Sequence, residues 1–197
     1  MFILLGCLIG GICWAAPVVQ NGSFEADRYS VPPGLAVGNG KHITGWQYTG
    51  NAGINPVWKD PQAQKGPDAP FYDNGAIPDG RQVALIQGPG RLVQKVEGFE
   101  AGKQYIVTLR ENARVQHQGT QWPRVQVTLG GEVVVSAHEV RPVAEQNTFD
   151  VPFYRVESAP FTAPRDGAFE LVIETVQESR TTTLLLDAVA IREVGPR

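Results

Sequence analysis

The sequence predicts an all-β protein, a two-sheet antiparallel jelly-roll β-sandwich, on three observations. Apolar and polar residues alternate with a period of two in several short segments, turn residues punctuate them, and a continuous apolar stretch is confined to the N-terminus. Gly and Pro supply 22 + 15 = 37 of the 197 residues without any repeat period, a density hard to combine with long helices.

Phe2 to Ala16 is almost wholly apolar and uncharged, and Cys13-Trp14-Ala15-Ala16-Pro17 offers a small residue at a cleavage point. The stretch reads as a short signal peptide over 1–16 and is shorter than the about 20 residues of a membrane-spanning helix, so no stable membrane insertion is expected. A hydrophobic first strand or an incomplete N-terminus is the alternative reading. Both cysteines, Cys7 and Cys13, lie in this stretch, which leaves the single domain expected over 17–194 without disulfide or thiolate chemistry. The expected location is secreted or cell-surface. A formal charge of -3 supplies no strong positive field and excludes general nucleic-acid binding.

Eight strands are predicted in order: Gln82 to Gln87, Arg91 to Val96, Gln104 to Asn112, Arg124 to Leu129, Glu132 to Ser136, Tyr154 to Phe161, Ala168 to Thr175 and Thr182 to Ile191. Val125, Val127 and Leu129 point one way while Arg124, Gln126 and Thr128 point the other, as in a half-buried strand. Gly130-Gly131 between two such strands predicts a hairpin, because glycine accepts positive φ cheaply. Ser30 to Asp79 and His138 to Phe153 read as long loops, which in compact domains are usually functional or disordered; their aromatic residues favour order.

Asn21-Gly22-Ser23-Phe24-Glu25 and Leu184 to Ile191 each set one acid among strand-like residues. If the first and last strands are neighbours, Glu25 and Asp187 meet and can hold a structural calcium, with carbonyls near Gly22, Asp27 or Lys41 completing its six to eight oxygens. The bland reading makes Asp187 a turn cap or an arginine partner and leaves Glu25 in water.

Six segments, "NGSFE" at 21 to 25, "ITGWQ" at 43 to 47, "DGRQVALI" at 79 to 86, "AGKQYIVTLREN" at 101 to 112, "FTAPRDGAFELVIE" at 161 to 174 and "LLLDAVAI" at 184 to 191, resemble the galactose-binding-like jelly rolls. Within these the chain is similar to extracellular carbohydrate-binding modules and related cell-wall domains. The resemblance implies a two-sheet sandwich, often with calcium, acting in polysaccharide binding or surface attachment. Where those families carry two acids or an Asp-Asn pair in the last strand, this chain has Asp187-Ala188.

A sugar site needs flat aromatic faces and converging polar groups. Trp122, Trp58, Tyr72 and Tyr48 are the platform candidates, with Asn112, Arg114, His117 and Gln121 as polar partners. Pro123 keeps Trp122 extended and presented, whereas Trp46 reads as core. Arginines such as Arg114 more often cover apolar surface with their stems than clamp a ligand. His42, His117 and His138 form no zinc spacing, no two of Glu111, Glu132, Glu139, Asp150 and Glu170 stand out as a glycosidase pair, and no nucleophile or phosphate motif is present. The sequence therefore reads as a non-enzymatic protein that binds a polysaccharide or glycoconjugate, with a structural or adhesive contact to surface proteins as the alternative and a polysaccharide-active enzyme as the least favoured reading.

Overall fold

The computed structural model describes residues 16–28, 42–55, 73–115, 121–176 and 181–195. Among them nine strands follow in order: β1 Gln47–Ile54, β2 Ala84–Phe99, β3 Gln104–Ala113, β4 Arg124–Leu129, β5 Glu132–Glu139, β6 Tyr154–Glu157, β7 Phe161–Thr162, β8 Gly167–Thr175 and β9 Thr183–Glu193. All belong to one sheet of order β5-β4-β8-β2-β9-β3-β6, with β1 added to β2 and β7 to β3. Every pairing is antiparallel. The sheet curls until its ends meet, and just beyond β6 the Ala159 N–H donates to the Val134 carbonyl of β5 at 2.8 Å.

The expected two-sheet jelly-roll sandwich is thus corrected to a single, nearly closed antiparallel β-barrel. The physical reason lies in β2. Gly88-Pro89-Gly90, read as a break between two strands, is a bend inside one. Before it Ala84 to Gln87 pair with β9; after it Gly90 to Phe99 pair with β8. One strand therefore belongs to both halves of the would-be sandwich. Glycine makes this corner possible: Gly50 of β1 lies opposite Gly90 with φ 72°, and a side chain there would strike the Pro89 carbonyl.

β9 carries the second irregularity. Thr108 pairs with Ala190 and Arg110 with Asp187, so β9 has one residue more than β3 between these rungs, and Ala188 there takes φ 49°. This β-bulge resets the alternation. Leu184 and Leu186 face the barrel interior before it, Val189 and Ile191 after it, and Asp187 is left on the outer face.

The interior is filled by Ile86, Leu92, Val107, Leu109, Val125, Val127, Leu129, Leu171 and Ile173 with their neighbours. At one end Phe99 packs edge-on against Tyr105 and Phe169, at centroid distances of 4.8 and 5.2 Å, a geometry that adds to their burial. The predicted Gly130-Gly131 hairpin is present, with φ 60° and 85°. Asn21 to Glu25 is a turn rather than the expected strand, yet it does sit beside β9, where the Val189 N–H donates to the Gly22 carbonyl at 2.9 Å. The signal peptide falls almost wholly on residues 1–15, outside the described residues.

Trp46 is 5% exposed, stacks at a tilt on Phe24, and its indole N–H donates to the Asn21 carbonyl, in keeping with its reading as core. Trp46→Ala should cost about 3–5 kcal/mol and lower the melting temperature sharply. Val133→Ala, at a side chain 52% exposed, should change stability by no more than about 0.5 kcal/mol. Thermal melts of the two variants check both.

Candidate active site

Alternation gives the β2–β9–β3 ladder two faces. One lines the barrel interior. On the other, three rungs follow one another about 7 Å apart. Arg110 is paired with Asp187, Asn112 with Leu185, and beyond them the Arg114 N–H donates to the Thr183 carbonyl at 3.1 Å. On the β2 side Leu85 is opposite Leu185 and Gln87 opposite Thr183. The floor is therefore apolar in the middle and polar at both ends.

A roof covers it. Val83, Leu85, Leu185 and Phe153 form an apolar cluster separate from the inner core, with Ile77 and Phe149 packed on it. The roof is tied down by amides: Asn112 Nδ2 donates to Asn74 Oδ1 at 2.6 Å, Asn74 Nδ2 to the Ala113 carbonyl at 2.9 Å, and the Val143 N–H to Asn112 Oδ1 at 3.0 Å. Asn112, expected to contact ligand, is fully buried and spends its amide on this clamp.

Acids stand at both ends. Asp187 is fully buried, its Oδ2 accepting from the Asp79 N–H at 2.9 Å and its Oδ1 from the Ala188 N–H at 2.7 Å. Burial pushes its carboxyl up to about 8, overriding those hydrogen bonds, and the charges of Asp79 and Glu25 add to the rise. It is a neutral carboxylic acid at pH 7. At the far end Asp73 Oδ1 accepts from the Val115 N–H at 3.0 Å, while Oδ2 lies 3.5 Å from Arg114 Nε without hydrogen-bonding geometry. Burial raises Asp73 as well, against the Val115 N–H and the Arg114 charge.

A third buried acid faces the interior. Glu111 Oε1 lies 2.7 Å from His138 Nε2, bridging β3 to β5 beside the barrel's seam, and His138 Nδ1 donates to the Ser136 carbonyl at 3.0 Å. Burial raises Glu111 despite His138. Burial opposes the charge on His138, but the hydrogen bonds it donates to the Glu111 carboxylate and the Ser136 carbonyl, with the Glu111 charge, together outweigh it and raise its pKa.

The other expected site residues scatter. Trp122 and Tyr48 are half-buried against the inner core, and Gln121 is exposed. Arg114 is half-buried beside Asp73. Trp58, Tyr72 and His117 lie outside the described residues. No described row of exposed aromatic rings is left to form a sugar platform. Asp73 and Thr183 escaped the sequence reading, since an Asp-Asn-Gly in a long loop signals a turn and a threonine at a strand start signals only a strand.

The charge of Glu25 is felt at Asp187. Glu25 Oε1 accepts from the Arg81 and Gln82 N–H groups, the Gly22 carbonyl from Val189 and the Asp27 carbonyl from the Gln82 amide, so most of the oxygens expected around calcium already hold an N–H. No group of three His, Cys, Asp or Glu able to hold a metal occurs among the described residues. A cleft of 410 Å3 elsewhere is lined by Gln20, Trp46, Gln47, Gln94, Lys95 and Glu170 among others. Gln94 there spends its amide on Gln20 and Gly45, and Lys95 stands opposite Glu170 in register.

The sequence profile of the HpiC1-like family, described as HpiC1 cyclase, matches residues 15–190. The chain belongs to that family. A Stig cyclase, Fisc, from Fischerella sp. TAU, in complex with (3Z)-3-(1-methyl-2-pyrrolidinylidene)-3H-indole, is similar at 17% identity and a TM-score of 0.60, over 92% of this chain and 99% of that one. A cyclase from the same organism, in complex with 4-(1H-indol-3-yl)butan-2-one, is similar at 16% identity and 0.57, over 93% and 100%. A xylan-binding domain from Paenibacillus barcinonensis shares the fold at 12% identity and 0.52, over 93% and 99%. No curated protein matches the chain.

Membership of the HpiC1-like family corrects the resemblance to galactose-binding-like carbohydrate-binding modules, and with it the expected polysaccharide or glycoconjugate partner and the non-enzymatic reading. What the resemblance caught is a fold that sugar-binding domains also use.

The Glu111–His138 pair makes stability pH-dependent. Both groups bind a proton more tightly in the folded chain, so their contribution is complete at low pH and is lost as pH rises, from 4.5 for Glu111 and 6.5 for His138 up to their raised values. The melting temperature should fall across that window, and the Glu111→Gln, His138→Gln double variant should flatten the fall. An unchanged slope in melts of the variant would remove the pair from the account.

Proposed function

We propose that the protein is a cyclase that closes a ring in a small, largely apolar, indole-bearing molecule by acid–base catalysis on the outer face of the β2–β9–β3 ladder. The observation that carries this reading is Asp187, a fully buried carboxyl held near pKa 8 beside an apolar floor, in a member of the HpiC1-like family. The two Fischerella cyclases hold indole compounds. An indole ring is electron-rich, and ring closure needs its tethered partner made electrophilic. A neutral carboxylic acid does this by giving a proton to a carbonyl, imine or alkene of the side chain. The resulting carboxylate takes back the proton that the new ring sheds, so the product is an isomer of the substrate and no external reagent is consumed. Leu85 and Leu185 exclude water from the step, and the half-buried Ile77 and Phe149 must swing aside to admit the substrate.

General acids of this kind contribute about 100- to 10,000-fold. Incubation with indoles bearing ketone, imine or alkene side chains should yield a product of unchanged mass and altered retention. Asp187→Asn should reduce turnover by at least about 100-fold while the chain still folds. A raised acid keeps its proton below its pKa, so turnover should hold on the acid side and fall as pH rises through about 8. Isomerisation of none of these compounds, or full activity in Asp187→Asn, would sink the reading.

Calcium at Glu25 and Asp187 is a second proposal, concerned with stability, and it excludes the general-acid role while the ion is bound, because calcium takes the ionised carboxylate. Its support is the mutual repulsion of Glu25, Asp79 and Asp187, together with Gln82 Oε1, a buried oxygen without a donor. Calcium should raise the melting temperature and chelator reverse the rise; an unchanged midpoint refutes it. Calcium and the proton compete for Asp187, so bound calcium would also abolish the pH limb near 8. Export to the cell exterior, proposed from the apolar N-terminal stretch, is tested by sequencing the N-terminus of the exported protein.

A further inference from the structure

We propose that Asp73 and Thr183 form the recognition end of the site and hold the ring N–H of the indole, which sets the substrate's reacting side chain toward Asp187. The inference rests on the cyclase reading and assigns the direction in which the substrate lies.

Two acceptor oxygens at this end have no hydrogen-bond partner although their residues are almost completely buried: Asp73 Oδ2, on a residue 1% exposed, and Thr183 Oγ1, on a residue 0% exposed. Buried polar groups are ordinarily paired, and each unpaired one calls for a reason. The nearby amides leave these two oxygens unmet: Asn74 Nδ2 donates to Asp73 Oδ1 at 3.1 Å and to the Ala113 carbonyl, and Asn112 Nδ2 donates to Asn74. Both oxygens are fixed to the same strand end. The Arg114 N–H donates to the Thr183 carbonyl, and the next N–H, that of Val115, donates to Asp73 Oδ1.

The chemistry of the pair selects the ligand group. Asp73 Oδ2 asks for a donor, and the Thr183 hydroxyl, which can accept as well as donate, can share it. The Arg114 guanidinium 3.5 Å from Asp73 Oδ2 offsets the carboxylate charge, so a neutral N–H suits the place better than an ammonium. Geometry agrees. Thr183 lies four residues from Asp187 along β9, about 13 Å at strand rise, with Leu185 midway on the same face and Leu85 beside it. An indole with its N–H at Thr183 lays its apolar face on these leucines, and a side chain of a few atoms brings the electrophile to the acid.

The test compares each indole substrate with its benzothiophene isostere, which keeps the ring size but lacks the N–H. Affinity is compared, by calorimetry, because the indole nitrogen also makes its ring the better nucleophile and would favour the indole in turnover whatever the site bonds. Wild-type full-length protein should bind 4-(1H-indol-3-yl)butan-2-one at least about 10-fold more tightly than its benzothiophene counterpart, as expected for a hydrogen bond to a charged group. Thr183→Val, which preserves shape, should reduce that preference, and Asp73→Ala should abolish it, with the loss on the indole rather than a gain on the isostere. If Asp73→Ala fails to fold, Thr183→Val carries the test. Equal affinity of wild type for the two compounds, or an undiminished preference in the variants, overturns the proposal. Preferential indole binding without turnover would defeat the cyclase reading and leave the recognition end standing, whereas binding of neither compound would overturn both.

Discussion

The filling of the barrel beyond Asp187 depends on a single surplus residue in β9, opposite the Thr108 to Arg110 step of β3. Without that bulge, alternation from Leu184 and Leu186 would send Ala188 and Ala190 into the barrel and turn Val189 and Ile191 outward. With it, both larger side chains fill the interior. The local cost is Ala188 in the left-handed region, at φ 49°. Two hydrogen bonds stabilise the distortion: Ala188's own N–H donates to the Asp187 carboxyl, and the next N–H, that of Val189, donates to the Gly22 carbonyl of the N-terminal turn. One backbone irregularity thus lets Val189 and Ile191 join Leu184 and Leu186 in the core while Asp187 stays on the outer face.

Three carboxyls are buried among the described residues, and in each burial outweighs the groups that favour ionisation. They differ in their company. Glu111 has a histidine and Asp73 an arginine, whereas Asp187 has two further carboxylates nearby and only backbone N–H donors. A group without a positive partner keeps its proton most stubbornly. That ordering, rather than proximity to any opening, singles out Asp187 as the neutral acid, since perturbed titration gathers at functional sites.

Strand content was legible in the sequence because alternation and turn residues are local signals. β4 lies where alternation puts it, and β3, β8 and β9 shift by one or two residues at their ends. β1 escaped notice because Gly50, Asn51 and Gly53 disguise a strand as a loop, and their role is visible only against the Gly88-Pro89-Gly90 corner they pair with. The number of sheets was not legible at all: that corner reads as a break, and only long-range pairing shows the strand running through it. In the site, Asp187 was noticeable as a lone acid in an apolar run. Asp73 was not, since its burial comes from docking onto Ala113 to Val115, about 40 residues away. The aromatic residues misled for a related reason: half-burial against a core and display on a surface leave the same mark in a sequence.

β9 is the last of the nine strands in the chain, yet it lies between β2 and β3 in the sheet. A ribosome delivers it after every other strand has emerged. Until then β2 and β3 lack their shared neighbour, the outer-face floor has no middle, and the unpaired edges of both strands are open to other chains. Completion of the barrel is therefore a late, long-range event, of the kind that makes β-proteins slow to fold and prone to aggregate while waiting. The same order of synthesis acts as quality control on the chemistry. A chain cut short before Asp187 loses at one stroke the proposed proton donor and the strand that joins β2 to β3, so no partly made product carries that acid without the walls that bury it.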